Sequence, residues 1–170
     1  GGPADRSPYW ADGLLPFSIV RLSKEGVIHV FYELDQCNKH SDGRGNLIEF
    51  LRRSDLNEMP DSFGQIYFVT FDAADQVRGN HYHEHAYEAF GIVSGVLEVV
   101  LEDVRSHERF EVVLNSDDHL FTRLKIGPYV AHAFRNISPT AILLNYSTEQ
   151  FNPVRPDRLD YLLIDPAGSK

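Results

Sequence analysis

Four residues have the types and spacing to do chemistry together: His81 and His83, then Glu88, then His132 in a separate segment. In an extended strand, residues two apart point to the same face, so one strand aims both imidazoles into one space. Glu88 stands early in the next apolar run, beyond a short turn, from which it can point back at them. The segment IGPYVAHAFRN, Ile126 to Asn136, adds His132 behind a Gly-Pro turn. Three neutral imidazoles and a carboxylate suit a first-row transition metal that keeps positions open for water or substrate. Without a metal, the same residues would form an acid–base site, because histidine titrates near neutrality. His29, His40, His107 and His119 read as hydrogen-bonded core residues, and His85 as a solvent-facing turn residue.

The elements that must position these side chains are short strands. Gln65–Phe71 is dense in β-branched and aromatic residues. Val77–His83 carries the first two histidines, and Tyr87–Val93 carries Glu88. Ser94-Gly95 turns into Val96–Leu101. Arg109–Leu114, His119–Ile126, Val130–Arg135 and Thr140–Ser147 follow, each bounded by turn residues. Upstream, Phe17–Leu22 and Val27–Leu34 read as strands, Asp35 to Asn46 as an exposed loop, and Asn46–Leu51 as a further strand. Ser54 to Ser62 is a connection with one helical turn, and the apolar tail after Pro156 packs back on the body. Closely spaced strands with no sustained helical period indicate an all-β sandwich or barrel.

The 170 residues are enough for one domain with a core; we expect a flexible segment over 1–16 and a single domain over 17–165. A net charge of −9 argues against nucleic acid or an anionic membrane as partner. No apolar run approaches the roughly 20 residues that span a bilayer, and no stretch reads as a secretory signal. Cys37 is the only cysteine, which excludes an internal disulfide and points to a reducing, cytoplasmic compartment.

The spacing His81, His83, Glu88, Gly95, followed by Pro128, His132 and Asn136, resembles the two cupin motifs, with Val130 where the family usually has glycine. The resemblance covers roughly Leu47 to Pro156. It implies a double-stranded β-helix, a jelly-roll barrel whose ligating side chains point into the mouth. Three further stretches resemble nucleotide-sugar epimerases of the dTDP-4-keto-6-deoxyhexose 3,5-epimerase type: Asp42 to Glu49, Arg78 to Tyr82, and Thr148 to Pro153. R-G-N-H-Y-H with a downstream glutamate, and Phe151 to Asp157, resemble most closely the metal-binding cupin domain of capsular-polysaccharide reductase/epimerases. The sugar 3,4-ketoisomerases share the R-G-x-H-x-H core.

That resemblance implies proton abstraction beside the ketone of a nucleotide-diphosphate 4-keto-6-deoxy sugar. His81 maps onto the epimerase base, and His81 with His83 onto the paired ketoisomerase histidines. Arg44, Glu49 and Arg78 fall on substrate-binding positions, where a guanidinium can grip a diphosphate at two points. His81, His83, Glu88 and His132 would hold a divalent transition metal, zinc before nickel or iron. The epimerases place a tyrosine acid near Asn145; the adjacent Tyr146 could serve only if a bulge turned it inward. The branch further implies a homodimer, with Phe17–Leu22 and Val27–Leu34 crossing to the partner, and a chain that works alone or with a separate reductase. Two other readings share the metal motif: an Fe(II) cupin oxygenase and a non-enzymatic ligand-binding cupin.

Overall fold

The computed structural model describes residues 17–22, 28–56 and 59–168, with side chains from residue 32 onward. The expected segment 1–16, the side chain of His29 and those of the first strand lie outside these residues. Among the described residues there are thirteen strands and one 3-10 turn. The strands are β1 (Phe17–Leu22), β2 (Ile28–Cys37), β3 (Lys39–Asp42), β4 (Gly45–Ile48), β5 (Gln65–Phe71), β6 (Val77–Tyr82) and β7 (Glu88–Ser94). They continue as β8 (Val96–Asp103), β9 (Arg109–Asn115), β10 (Phe121–Ile126), β11 (Val130–Asn136), β12 (Ala141–Ser147) and β13 (Leu159–Asp160).

The strands build a six-stranded sheet in the order β1-β2-β10-β7-β12-β5 and a five-stranded sheet in the order β13-β6-β11-β8-β9. Every pairing is antiparallel. This is the expected all-β jelly-roll cupin fold. Alternate residues face inward: Phe90 and Ile92 on β7, Val99 and Leu101 on β8, Leu124 and Ile126 on β10, and Leu143 on β12 join one core between the sheets. The side-chain period of two in a strand sorts them.

Two segments differ from the sequence reading. The stretch after Leu34 is no loop: β2 runs on to Cys37, and β3 and β4 then form a separate two-stranded hairpin around the Gly43-Arg44 turn. Exposed polar residues carry no period-two signal, so the hairpin was invisible in the hydrophobic pattern. Its Lys39 Nζ bonds the Ser116 and Asp118 carbonyls, at the turn between β9 and β10. His40, His107 and His119, expected in the core, are exposed, as is His85.

The outer face of the larger sheet holds a buried ionic group. Arg123 bonds Asp35 at 2.7 Å and Asp55 at 2.8 Å, and Lys125 bonds Glu33 at 2.9 Å. Leu124 and Ile126 face the core, so these two cations must face outward. There the Phe50–Asp55 segment covers them, supplying the Phe50 and Asp55 carbonyls as well.

Candidate active site

The four residues converge at one end of the barrel, and a β-bulge makes this happen. In the pairing of β6 with β11, His81 lies opposite His132 but Gly79 lies opposite Ala133, leaving Asn80 as the extra residue. Gly79 and Asn80 both have positive φ, 93° and 55°. A Cβ on Gly79 would sit 2.6 Å from the His132 carbonyl oxygen, so only glycine allows the two strands this close. Asparagine tolerates the left-handed region better than most residues. The Asn80 side chain then clamps the C-terminal segment, donating to the Ile164 carbonyl and accepting from the Leu163 and Ile164 amides at 2.8–3.0 Å.

Each imidazole is oriented by a backbone carbonyl. His81 Nδ1–H donates to Gly79 at 2.9 Å, His132 Nδ1–H to Val130 at 3.3 Å, and His83 Nδ1–H to Asp157. The other nitrogen of each ring is thereby left with its lone pair for the site. One donor atom from each histidine lies within 4.8 Å of the others. Glu88, buried at the start of β7, places Oε2 at 3.4 Å from His83 Nε2 and 3.5 Å from His132 Nε2. Asn145 Nδ2 donates to Glu88 Oε1 at 3.1 Å.

These atoms face one another without satisfying one another. His83 Nε2 and Glu88 Oε2 are buried and, among the described residues, have no hydrogen-bond partner. Lone pairs opposed at such distances need a cation between them, either a proton or a metal ion. The spacing suits the metal, since bonds of about 2.1 Å in a tetrahedral site set ligands about 3.4 Å apart. The donor set therefore fits a divalent transition metal.

The buried groups also shift one another's titration. Burial pushes the Glu88 carboxyl up, but His83, His132 and Asn145 outweigh it and hold it at about 2. Burial drives His132 down to about 3 and also lowers His81. Burial acts the same way on His83, but the Glu88 carboxylate and Asp157 reverse it, so His83 lies above its ordinary value. Asp157 braces this side: its carboxylate accepts from the backbone amides of Glu84, His85 and Ala86 at 2.8–3.1 Å.

The polysaccharide biosynthesis C-terminal domain family matches residues 40–159, more than half of the chain. The chain belongs to that family. The spore coat polysaccharide biosynthesis protein SpsL of Bacillus subtilis is 28% identical over 125 residues, covering 70% of this chain and 80% of that protein. Among solved structures, the dTDP-4-dehydrorhamnose 3,5-epimerase of Bacillus anthracis superposes with a TM-score of 0.69 at 20% identity, over 79% of this chain and 80% of that one. A 3,4-ketoisomerase from Helicobacter canadensis superposes with a TM-score of 0.61 at 26% identity, over 75% of this chain and 89% of that one.

In this polysaccharide biosynthesis C-terminal domain, the structure brings together His81, His83, Glu88 and His132. Arg78 lies opposite the core residue Phe134, on the inner side of β6, with its guanidinium 5.9 Å from the centre of the Phe71 ring. Arg44 is 90% exposed on the hairpin turn and pairs with Asp42; Glu49 is exposed and lies 3.8 Å from Arg52. Neither is brought to the histidines of its own barrel. Tyr146 faces the outer side of β12 among Met59 and Ala89, and its hydroxyl donates to the Ser62 carbonyl. Regular alternation along β12 turns Asn145 inward instead.

Two site residues escaped the sequence reading. One is Asn145, noticed only as the place where a tyrosine was expected. The other is Tyr67, opposite Asn145 on the edge strand β5. Burial, then the neighbouring Glu88 carboxylate, raise the Tyr67 phenol and keep it protonated. The alternation Tyr67, Val69, Phe71 was a signal that Tyr67 shares the inward face, but only the pairing with β12 shows what it faces.

Proposed function

We propose that the protein is a metal-binding sugar-nucleotide epimerase or isomerase that enolises a nucleotide-diphosphate 4-keto-6-deoxy sugar. The observation that carries this is the convergence of three carbonyl-oriented imidazoles and Glu88 at one barrel end. The epimerase and ketoisomerase neighbours support the substrate class. Removing a proton beside a ketone needs a positioned base, charge stabilisation on the enediolate oxygen, and an acid for return of a proton.

His83 and His132, joined through the Glu88 carboxylate at 3.4 Å and 3.5 Å, would hold the metal with Glu88. When bound, it would supply Lewis-acid polarisation of the ketone. Among the described residues His81 forms no ion pair with Glu88, so it can complete the ligand set or take the proton. Because one nitrogen cannot do both, we assign His81 as the base. Tyr67, held protonated at the mouth, is the donor that returns a proton; Tyr146, turned to the other face, is not used. Arg78 grips the diphosphate. In a homodimer, the β3–β4 hairpin would carry Arg44 and Glu49 to the partner's barrel. The outer-face residues Ile66, Phe68 and Val93, exposed on the larger sheet, support such an association. A reductase acting on the product is the proposed partner activity, and the free Cys37 is consistent with a cytoplasmic setting.

The test is proton NMR of the metal-loaded protein with a dTDP-4-keto-6-deoxy sugar in D2O. Solvent deuterium entering a carbon beside the ketone is the expected result. Exchange at one carbon means single-centre epimerisation or ketoisomerisation, and exchange at two means double epimerisation. No exchange across several such nucleotides sinks the proposal, and substrate-dependent oxygen uptake by an iron-loaded sample would replace it with an oxygenase.

A further inference from the structure

We propose that Asn145 is a positioning residue that fixes Glu88 so that Oε2 alone is presented to the metal. The inference rests on the metal reading above and goes beyond it to a residue on a different strand. Asn145 is fully buried on β12, and its Nδ2 donates to Glu88 Oε1 at 3.1 Å. Among the described residues its Oδ1 is buried without a partner. The amide therefore has one anchoring bond at the site, and it points at the carboxylate. Turning the amide over would set Oδ1 against a carboxylate oxygen, which is repulsive, so the orientation is determined.

The effect on Glu88 follows from counting its acceptor positions. A free carboxylate at the start of a strand can rotate and can offer either oxygen or both. With Oε1 held by Asn145, Oε2 is the oxygen that meets His83 and His132, at 3.4 Å and 3.5 Å. Groups that hydrogen-bond metal ligands in this way fix ligand orientation, and their removal typically weakens metal binding 10- to 100-fold. Two neighbouring strands thus share the work: β7 supplies the ligand and β12 aims it.

The experiment is a Co²⁺ titration of the metal-free chain, followed by its visible absorption bands and by competition with a chelator. Asn145→Leu keeps the side-chain volume and removes the donor. It should weaken Co²⁺ binding about 10- to 100-fold and alter the bands. Glu88→Gln should also weaken binding, and the double variant should lose no more than Glu88→Gln alone, because Asn145 acts through Glu88. Thermal melting of the metal-free proteins checks the fold; if the leucine variant does not fold, Asn145→Ala carries the same measurement. Unchanged affinity and bands in the folded variant, or fully additive losses in the double variant, would overturn the assignment while leaving the metal reading intact. Failure of the wild-type chain to bind Co²⁺ at all would overturn both.

Discussion

At the scale of single residues, His81 is the most informative position. Its Nδ1–H is held by the Gly79 carbonyl and its other nitrogen lies with those of His83 and His132, with no carboxylate paired to it among the described residues. Replacing it separates the two roles that one imidazole cannot combine. His81→Ala should abolish solvent deuterium exchange, a loss on the order of 10²- to 10⁴-fold, while metal content by elemental analysis stays near that of the wild type. Loss of the metal together with exchange would make His81 a ligand. Tyr67→Phe removes only a hydroxyl on an edge strand. It should slow product formation by a similar factor with little effect on nucleoside-diphosphate affinity, measured by calorimetry, if its phenol returns the proton.

At the scale of elements, the site depends on the junction of β6 with the C-terminal segment. β13 pairs with Tyr82 and His81, Asn80 bonds Leu163 and Ile164, and Asp157 caps the Glu84–Ala86 turn. Leu163 and Ile164 are buried with Val100, Ala131 and Ala133 on the outer face of the smaller sheet. The bulge residue that sets His81 beside His132 is therefore the same residue that anchors the tail. Asn80→Ala leaves the Leu163 and Ile164 amides without acceptors. It should cost about 1–3 kcal/mol in denaturant unfolding and raise hydrogen exchange over 159–164 more than over the core strands. Exchange spread evenly over the whole molecule would contradict this local coupling.

At the scale of the whole molecule, the ionic group on the larger sheet sets the response to acid. Burial pushes the Asp55 carboxyl up, but the Arg52 amide and the Arg123 guanidinium outweigh it, so it titrates below its ordinary value. A depressed carboxyl contributes stability that is complete above its unfolded value, about 4. That contribution is lost as pH falls through the lower folded value. Urea midpoints should therefore fall steeply for the wild type between about pH 5 and pH 2. Asp55→Asn should be less stable at neutral pH and show a shallower fall; parallel curves would show that Asp55 is not the sensor.

What the sequence determined by itself is the part written in local pattern. The closely spaced strands β5 to β12 mark an all-β sandwich or barrel, and the cupin-like spacing of His81, His83, Glu88, Gly95 and His132 both implied the jelly roll and picked out the site. Gly79 and Gly95 were legible as motif glycines, but not as the positions where neighbouring backbone leaves no room for a Cβ, 2.6 Å from the His132 oxygen and closer still to the Thr140 oxygen. Tertiary structure alone decided the rest. Asn145 and Tyr67 become site residues through pairing of β12 with β5 and β7, contacts between strands far apart in the chain. Arg44 and Glu49 sit within a motif, yet the β3–β4 hairpin carries them away from the histidines of their own barrel. The reason is physical: a strand's alternation fixes which face a side chain takes, whereas what lies across that face depends on register and on bulges such as Asn80.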